Sequence, residues 1–165
     1  MSLEEMEVSA FNSPLETGVR SLGVLAAAHP LAFDLQRLVV FDHLVVHTAD
    51  LGGPESLHPK VPLRSAEMLV RRGVIERGIM LMVSRGLVEK VVDEQGFSFR
   101  ASETALAFLD SLETKYMCAL KERARWVSNE FGALSDTDIK IVMENIFEKW
   151  VEQFHSTDLQ SESQL

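Results

Sequence analysis

The stretch from Ser65 to Arg100 constrains the fold most, because helix, turn and strand signals follow one another there without a gap. Ser65 is a helix-capping residue type and opens a short helix that reaches Arg72. Gly73 breaks it, and a second helix is expected from Val74 to about Arg85. Gly86 then stands where a helix closes on a left-handed residue. Leu87 to Val92 reads as a strand, Asp93-Glu94-Gln95-Gly96 as a turn, and Phe97-Ser98-Phe99-Arg100 as the returning strand. Two short helices around a glycine turn, followed at once by a hairpin, predict a helix-turn-helix with a wing.

The flanks read as helices. Ser13, Pro14 and Glu16 supply an N-cap, a first-position proline and a capping-box acid, and Leu15, Val19, Leu22, Leu25 and Ala26 recur behind them at helical spacing. Pro30 ends that segment. A second helix is expected from Asp34 to about Thr48. Its apolar residues Leu35, Leu38, Val39, Phe41, Leu44, Val45 and Val46 surround most of the circumference, which places it centrally in a core. Behind the hairpin, Ser102 should cap a helix carrying Leu106, Leu109 and Leu112. Another should run from about Thr114 to Phe131 and stop at Gly132. Ser135 with Asp138 opens the last, whose stripe is Ile139, Val142, Met143, Ile146, Phe147 and Trp150. The fold class is therefore mainly α with a small β-hairpin: a winged helix-turn-helix core with flanking N- and C-terminal helices. Residues 1–10 are expected to be a flexible N-terminus, 11–154 one helical winged-helix domain, and 155–165 a disordered polar tail.

The segment from Asp50 to Leu63, DLGGPESLHPKVPL, interrupts this regularity with Gly52, Gly53, Pro54, Pro59 and Pro62. A connector that long within a compact domain is expected to have a task of its own. Its prolines limit its freedom, and it carries Leu57 and His58, read as exposed.

Charge narrows the partners. The chain carries −9 overall, but between Lys60 and Lys90 seven basic residues face three acids, so that stretch is +4 and the remainder −13. The bulk opposes phosphate backbones, while the basic stretch suits an anionic partner. No apolar run reaches membrane-spanning length, and the acidic first residues lack the basic start of a secretory signal. Cys118 is the single cysteine and has no partner for a disulfide or a Cys-based zinc site. A cytoplasmic protein with no membrane partner is expected.

No motif assembles a catalytic site. His43 and His47 share a helix face at zinc-ligand spacing, with Asp50 or His58 as a third donor. The metalloprotease pattern needs Glu where Leu44 stands, so they read as structural histidines, and neither metal nor cofactor is expected. Gly73 and Gly78 have phosphate-loop spacing, but Ile79 occupies the lysine position. Cys118 reads as inert, and an enzyme is not expected. The second helix of the turn motif, VIERGIMLMVSR, reads as apolar with little polar surface, unlike a base-reading helix. Asp93 and Glu94 at the wing tip would repel phosphate.

Four stretches resemble a known family: FNSPLETGVRSL (Phe11 to Leu22), FDLQRLVVFDHLVVHTAD (Phe33 to Asp50), GGPESLHPKVPLRSAE (Gly52 to Glu67) and LVRRGVIERGIMLMVSRGLVEK (Leu69 to Lys90). Together they are similar to the middle component 2 family of bacterial ABC three-component systems, over roughly residues 11 to 154. The Ser-Leu-His-Pro loop is the most specific part. The resemblance implies two partners, an SMC/Rad50-like ABC ATPase and an effector that is a nuclease or other toxic enzyme, in systems overlapping Lamassu-type defence against phages and plasmids. It implies an adaptor between them, with DNA met only through the assembled complex. The family brings no catalytic residues. The expected partner-binding residues are Asp50, Gly52, Gly53, Ser56, Leu57, His58, Pro59, Arg64, Glu67, Arg71 and Arg72. The alternative is a winged-helix DNA-binding regulator or DNA-contacting subunit, using Arg64, Arg71, Arg72, Arg77 and Arg85.

Overall fold

A computed structural model describes residues 13–59, 65–145 and 148, with the side chains of 65–69 excepted. The expected flexible N-terminus at 1–10 and polar tail at 155–165 lie outside the described residues, as do Arg64, the Glu67 side chain and the stripe residues Ile146, Phe147 and Trp150. Helix α1 spans Pro14–Ala28, α2 Leu35–Val46, and a single 3-10 turn Thr48–Leu51. Helix α3 spans Ser65–Ser84, strand β1 Val88–Asp93 and β2 Gly96–Ala101. Helix α4 spans Glu103–Asp110, α5 Lys115–Phe131, and α6 covers 136–145.

The caps explain the starts. Ser13 Oγ accepts from Glu16 N, Asp34 Oδ1 from Arg37 N at 2.8 Å, Thr114 Oγ1 from Met117 N, and Ser135 Oγ from Asp138 N. Each satisfies one of the donors a helix start leaves open. Ser102 occupies an N-cap but makes no capping bond. Its hydroxyl donates instead to Gly86 O at 2.8 Å, tying the start of α4 to the end of α3.

One expectation fails. Gly73 does not separate two helices, because α3 runs unbroken from Ser65 to Ser84. An interior glycine weakens a helix by roughly 1 kcal/mol, less than burying one large apolar side chain contributes. Here Ile75, Ile79 and Met82 bury one side of α3 completely or nearly so. The expected lack of polar surface is also corrected. Those apolar residues point inward, and Arg72, Glu76, Arg77 and Ser84 stand outside beside Val70 and Met80.

Helix α2 is central, as its pattern predicts, with every residue from Leu38 to Val46 buried. Helix α1 crosses α3 at Gly18 and Gly78, where a Cβ on Gly78 would lie 2.6 Å from Pro14 O and one on Gly18 2.7 Å from Gly78 O. Only glycine permits that approach. The antiparallel hairpin pairs Val88 with Ala101 through Asp93 with Gly96. Gly96 closes its turn at φ +123°. On the other edge of β2, Phe33 exchanges both backbone hydrogen bonds with Phe99, which docks the α1–α2 connection onto the sheet.

Candidate functional site

The Asp50–Leu63 segment packs on its own domain as far as it is described. Backbone N–H groups of Leu57 and His58 both donate to Val46 O, at 3.1 Å each, and so extend the end of α2. Thr48 Oγ1 donates to Pro54 O at 2.8 Å, and Ala49 N to Ser56 Oγ. Helix α5 holds the far side: Arg123 Nε donates to Glu55 O at 2.7 Å, and Gly53 approaches the Trp126 ring so closely that a Cβ would lie 2.6 Å from it. The expected exposure of Leu57 is corrected, since it is half-buried against the core. Gly52, Glu55 and Pro59 are exposed among the described residues of this loop, and Gly52 takes a left-handed φ of 77°.

Beneath the loop lies a polar network that sequence reasoning missed in its main members. Arg20 of α1 and Asp42 of α2 form an ion pair at 2.9 Å, with side chains 2% and 0% exposed. Burial opposes the Arg20 charge, but Asp42 and the Tyr116 hydroxyl outweigh it and raise its pKa. Arg71 of α3 approaches the same carboxylate at 3.9 Å and His43 Nδ1 at 3.5 Å. A guanidinium only donates, so His43 Nδ1 accepts and its proton sits on Nε2, which is buried with no hydrogen-bond partner among the described residues. The rings of His43 and His47 lie 4.4 Å apart, and His58 Nε2 meets Tyr116 Oη at 3.0 Å. Burial, with His47 and Arg71 adding, pushes the His43 pKa down to about 2. Burial and then Arg20 push His58 to about 4, while burial and Arg71 lower His47. All three imidazoles are therefore neutral near pH 7. Among the described residues no three His, Cys, Asp or Glu side chains converge as metal ligands. Opposite charges midway along two largely apolar helices, Arg20 in α1 and Asp42 in α2, are the signal that would have found the pair.

The expected site residues therefore part company. His58 and Arg71 are committed to the interior network, and Gly53, Ser56 and Leu57 to loop packing. Arg72, Arg77 and Arg85 are exposed. Arg72 stands at the lip of an open groove of about 630 Å³ between α2 and α6, floored by Val39, Val40, Ile139 and Met143. Arg37 forms one wall, stacked on Phe33 and Phe41 at 4.9 and 5.6 Å. It donates to the carbonyls of Phe131, Gly132 and Leu134 and pairs with Asp136 at 3.0 Å, so a cation closes the C-terminal end of α5. Cys118 is exposed on α5.

The sequence model of the ABC-three component system middle component 2 family matches residues 10–153. The chain belongs to that family. The match spans the loop, the buried network and the hairpin together. No curated protein and no solved structure matches the chain. For a middle component, the described geometry offers structured surfaces, and its most polar interior cluster is closed over by the loop. No helix among the described residues is long and apolar enough to cross a membrane.

Proposed function

We propose that this middle component is a non-catalytic, cytoplasmic adaptor that joins an SMC/Rad50-like ABC ATPase to an effector enzyme in a Lamassu-type defence complex. The family match over residues 10–153 carries this reading. The architecture supports a winged-helix relationship. Helix α1, the Phe33 bridge, α2, α3 and the hairpin follow the order of that fold, with a long packed loop in place of the tight turn. A loop held at four points pre-orders its exposed residues, and pre-ordering lowers what binding must fix. The exposed rim of that loop, Gly52, Glu55 and Pro59, is the proposed partner surface, and Arg72 at the groove lip is a second, separate contact. Arg71 is a poor reporter of docking, because replacing it disturbs Asp42 and His43.

The test is co-expression of the full chain with the other two components, followed by affinity purification. A complex of all three is the expected result, and Arg72→Glu should weaken it while leaving the free protein folded. A middle component that purifies alone overturns the adaptor reading. The second reading, a DNA-contacting subunit, is favoured by the exposure of Arg72, Arg77 and Arg85 around α3. Glu76 on the same face and Asp93 and Glu94 at the hairpin tip weigh against it.

A further inference from the structure

The structure assigns the tip of the hairpin as a protein-docking knob, seated in an apolar socket rimmed by basic side chains on another component of the same system. This rests on the assembly proposed above. Residues directly opposite in an antiparallel pair project to one face. On the inward face Val88, Phe99 and Ala101 are 3%, 7% and 2% exposed. The same face continues outward to the opposed pair Val92 and Phe97, which are 67% and 58% exposed. The apolar side of the hairpin thus overshoots the helical body by one residue pair. Lys90 Nζ sits 3.9 Å from the Phe97 ring centroid and holds that ring in place. Asp93 Oδ1 accepts from Gln95 N at 2.8 Å and closes the turn. The knob is therefore ordered before it meets a partner.

Charge selects the occupant. Glu89 and Arg100 neutralise each other at 2.9 Å, and the Lys90 ammonium lies on the Phe97 ring. Lys90 keeps its charge beside that ring, so exposed Asp93 and Glu94 leave the hairpin with one net negative charge, placed at its tip, which calls for Lys or Arg around the socket. The same acids oppose nucleic acid. A second copy fits poorly. Symmetric pairing along the outer edge of β1 centred on Val91 would set Glu89 against Asp93, and centred on Lys90 would oppose two lysines.

The experiment co-expresses the tagged full chain with the other components and measures their recovery. Val92→Thr combined with Phe97→Ser should lower recovery by about tenfold or more, as expected for an aromatic anchor, with little change in melting temperature. Phe97→Trp should retain it. Glu94→Lys, exposed at the turn and outside the apolar pair, should weaken recovery by itself and serves if the double variant misfolds. A photo-crosslinking phenylalanine analogue at position 97 should label one component of the system. Unchanged recovery for Glu94→Lys and for a folded double variant overturns the proposal. So does a wild-type dimer that the double variant dissolves, since the occupant is then a second copy. If the wild-type chain recovers no component, the adaptor reading falls and this inference falls with it. Wild-type recovery with insensitive hairpin variants overturns the inference alone.

Discussion

Arg20 Nε meets Asp42 Oδ1 at 2.9 Å between α1 and α2, and neither side chain has more than 2% of its surface exposed. Two charges withdrawn from water are tolerated only as a pair, so removing one strands the other. Asp42→Ala should destabilise the chain by about 3–5 kcal/mol. Replacing both, as Arg20→Met with Asp42→Leu, should recover most of that loss. Urea unfolding midpoints of Arg20→Met, Asp42→Leu and the double variant decide it; additive losses would mean the pair is not coupled.

The histidines set an acid limit on the fold. His43, with a folded pKa of about 2 against 6.5 for the free group, binds its proton more readily when unfolded. His58 behaves alike, with a folded value of about 4. Stability is then fully present above pH 6.5 and falls as the pH drops below it. The slope approaches about 1.4 kcal/mol per pH unit for each imidazole held neutral. The melting temperature should decline from pH 7 to pH 5, and His43→Leu should flatten part of that decline. An unchanged slope in that variant would show that His43 is already protonated in the fold.

The parts of this architecture that depend on neighbours in sequence were legible there. Ser13, Asp34, Thr114 and Ser135 cap helices through bonds spanning three residues, and the hairpin register follows from a short turn closed by Gly96. What escaped depends on partners distant in sequence. Gly73 reads as a breaker because nothing local reveals the packing that keeps α3 whole. Leu57 reads as exposed because its direction is fixed by Val46, and Arg71 reads as a surface cation because Asp42 lies on another helix. Arg72, Arg77 and Arg85 are exposed, and composition alone does not tell them from Arg71.

Gly78 illustrates the same point as a prediction. Ile79 in the lysine position already excludes a phosphate loop at Gly73 and Gly78, and the α1 crossing supplies the reason for a glycine at position 78. A Cβ there would lie 2.6 Å from Pro14 O and 2.7 Å from Gly18 N, both backbone atoms that cannot step aside. Gly78→Ala should therefore destabilise by roughly 1–3 kcal/mol despite the better helix propensity of alanine. Gly23 in α1 has nothing within 4 Å of its missing Cβ. Gly23→Ala should be stabilising by about 0.4–1 kcal/mol. Thermal unfolding of the two variants should move in opposite directions, and a stabilised Gly78→Ala would contradict the close crossing.

The exposed arginines make the adaptor and DNA readings separable. Arg72, Arg77 and Arg85 stand at the surface of α3 and its end, on a chain whose net charge is −9. A duplex brought to that surface would gain three phosphate contacts at most from them, against the field of the acidic remainder. Each phosphate neutralised adds close to one unit to the salt slope of binding, so three contacts give a weak and steeply salt-sensitive complex. Fluorescence anisotropy with the purified protein at physiological salt should accordingly show no sequence-specific duplex binding. At low salt, residual affinity should fall uniformly across sequences when the three arginines are changed to glutamate. The same triple variant should stay folded, because none of the three takes part in an ion pair among the described residues. A nanomolar complex with one DNA sequence that survives added salt, and is lost in the triple variant, would establish base reading by α3 and displace the adaptor reading.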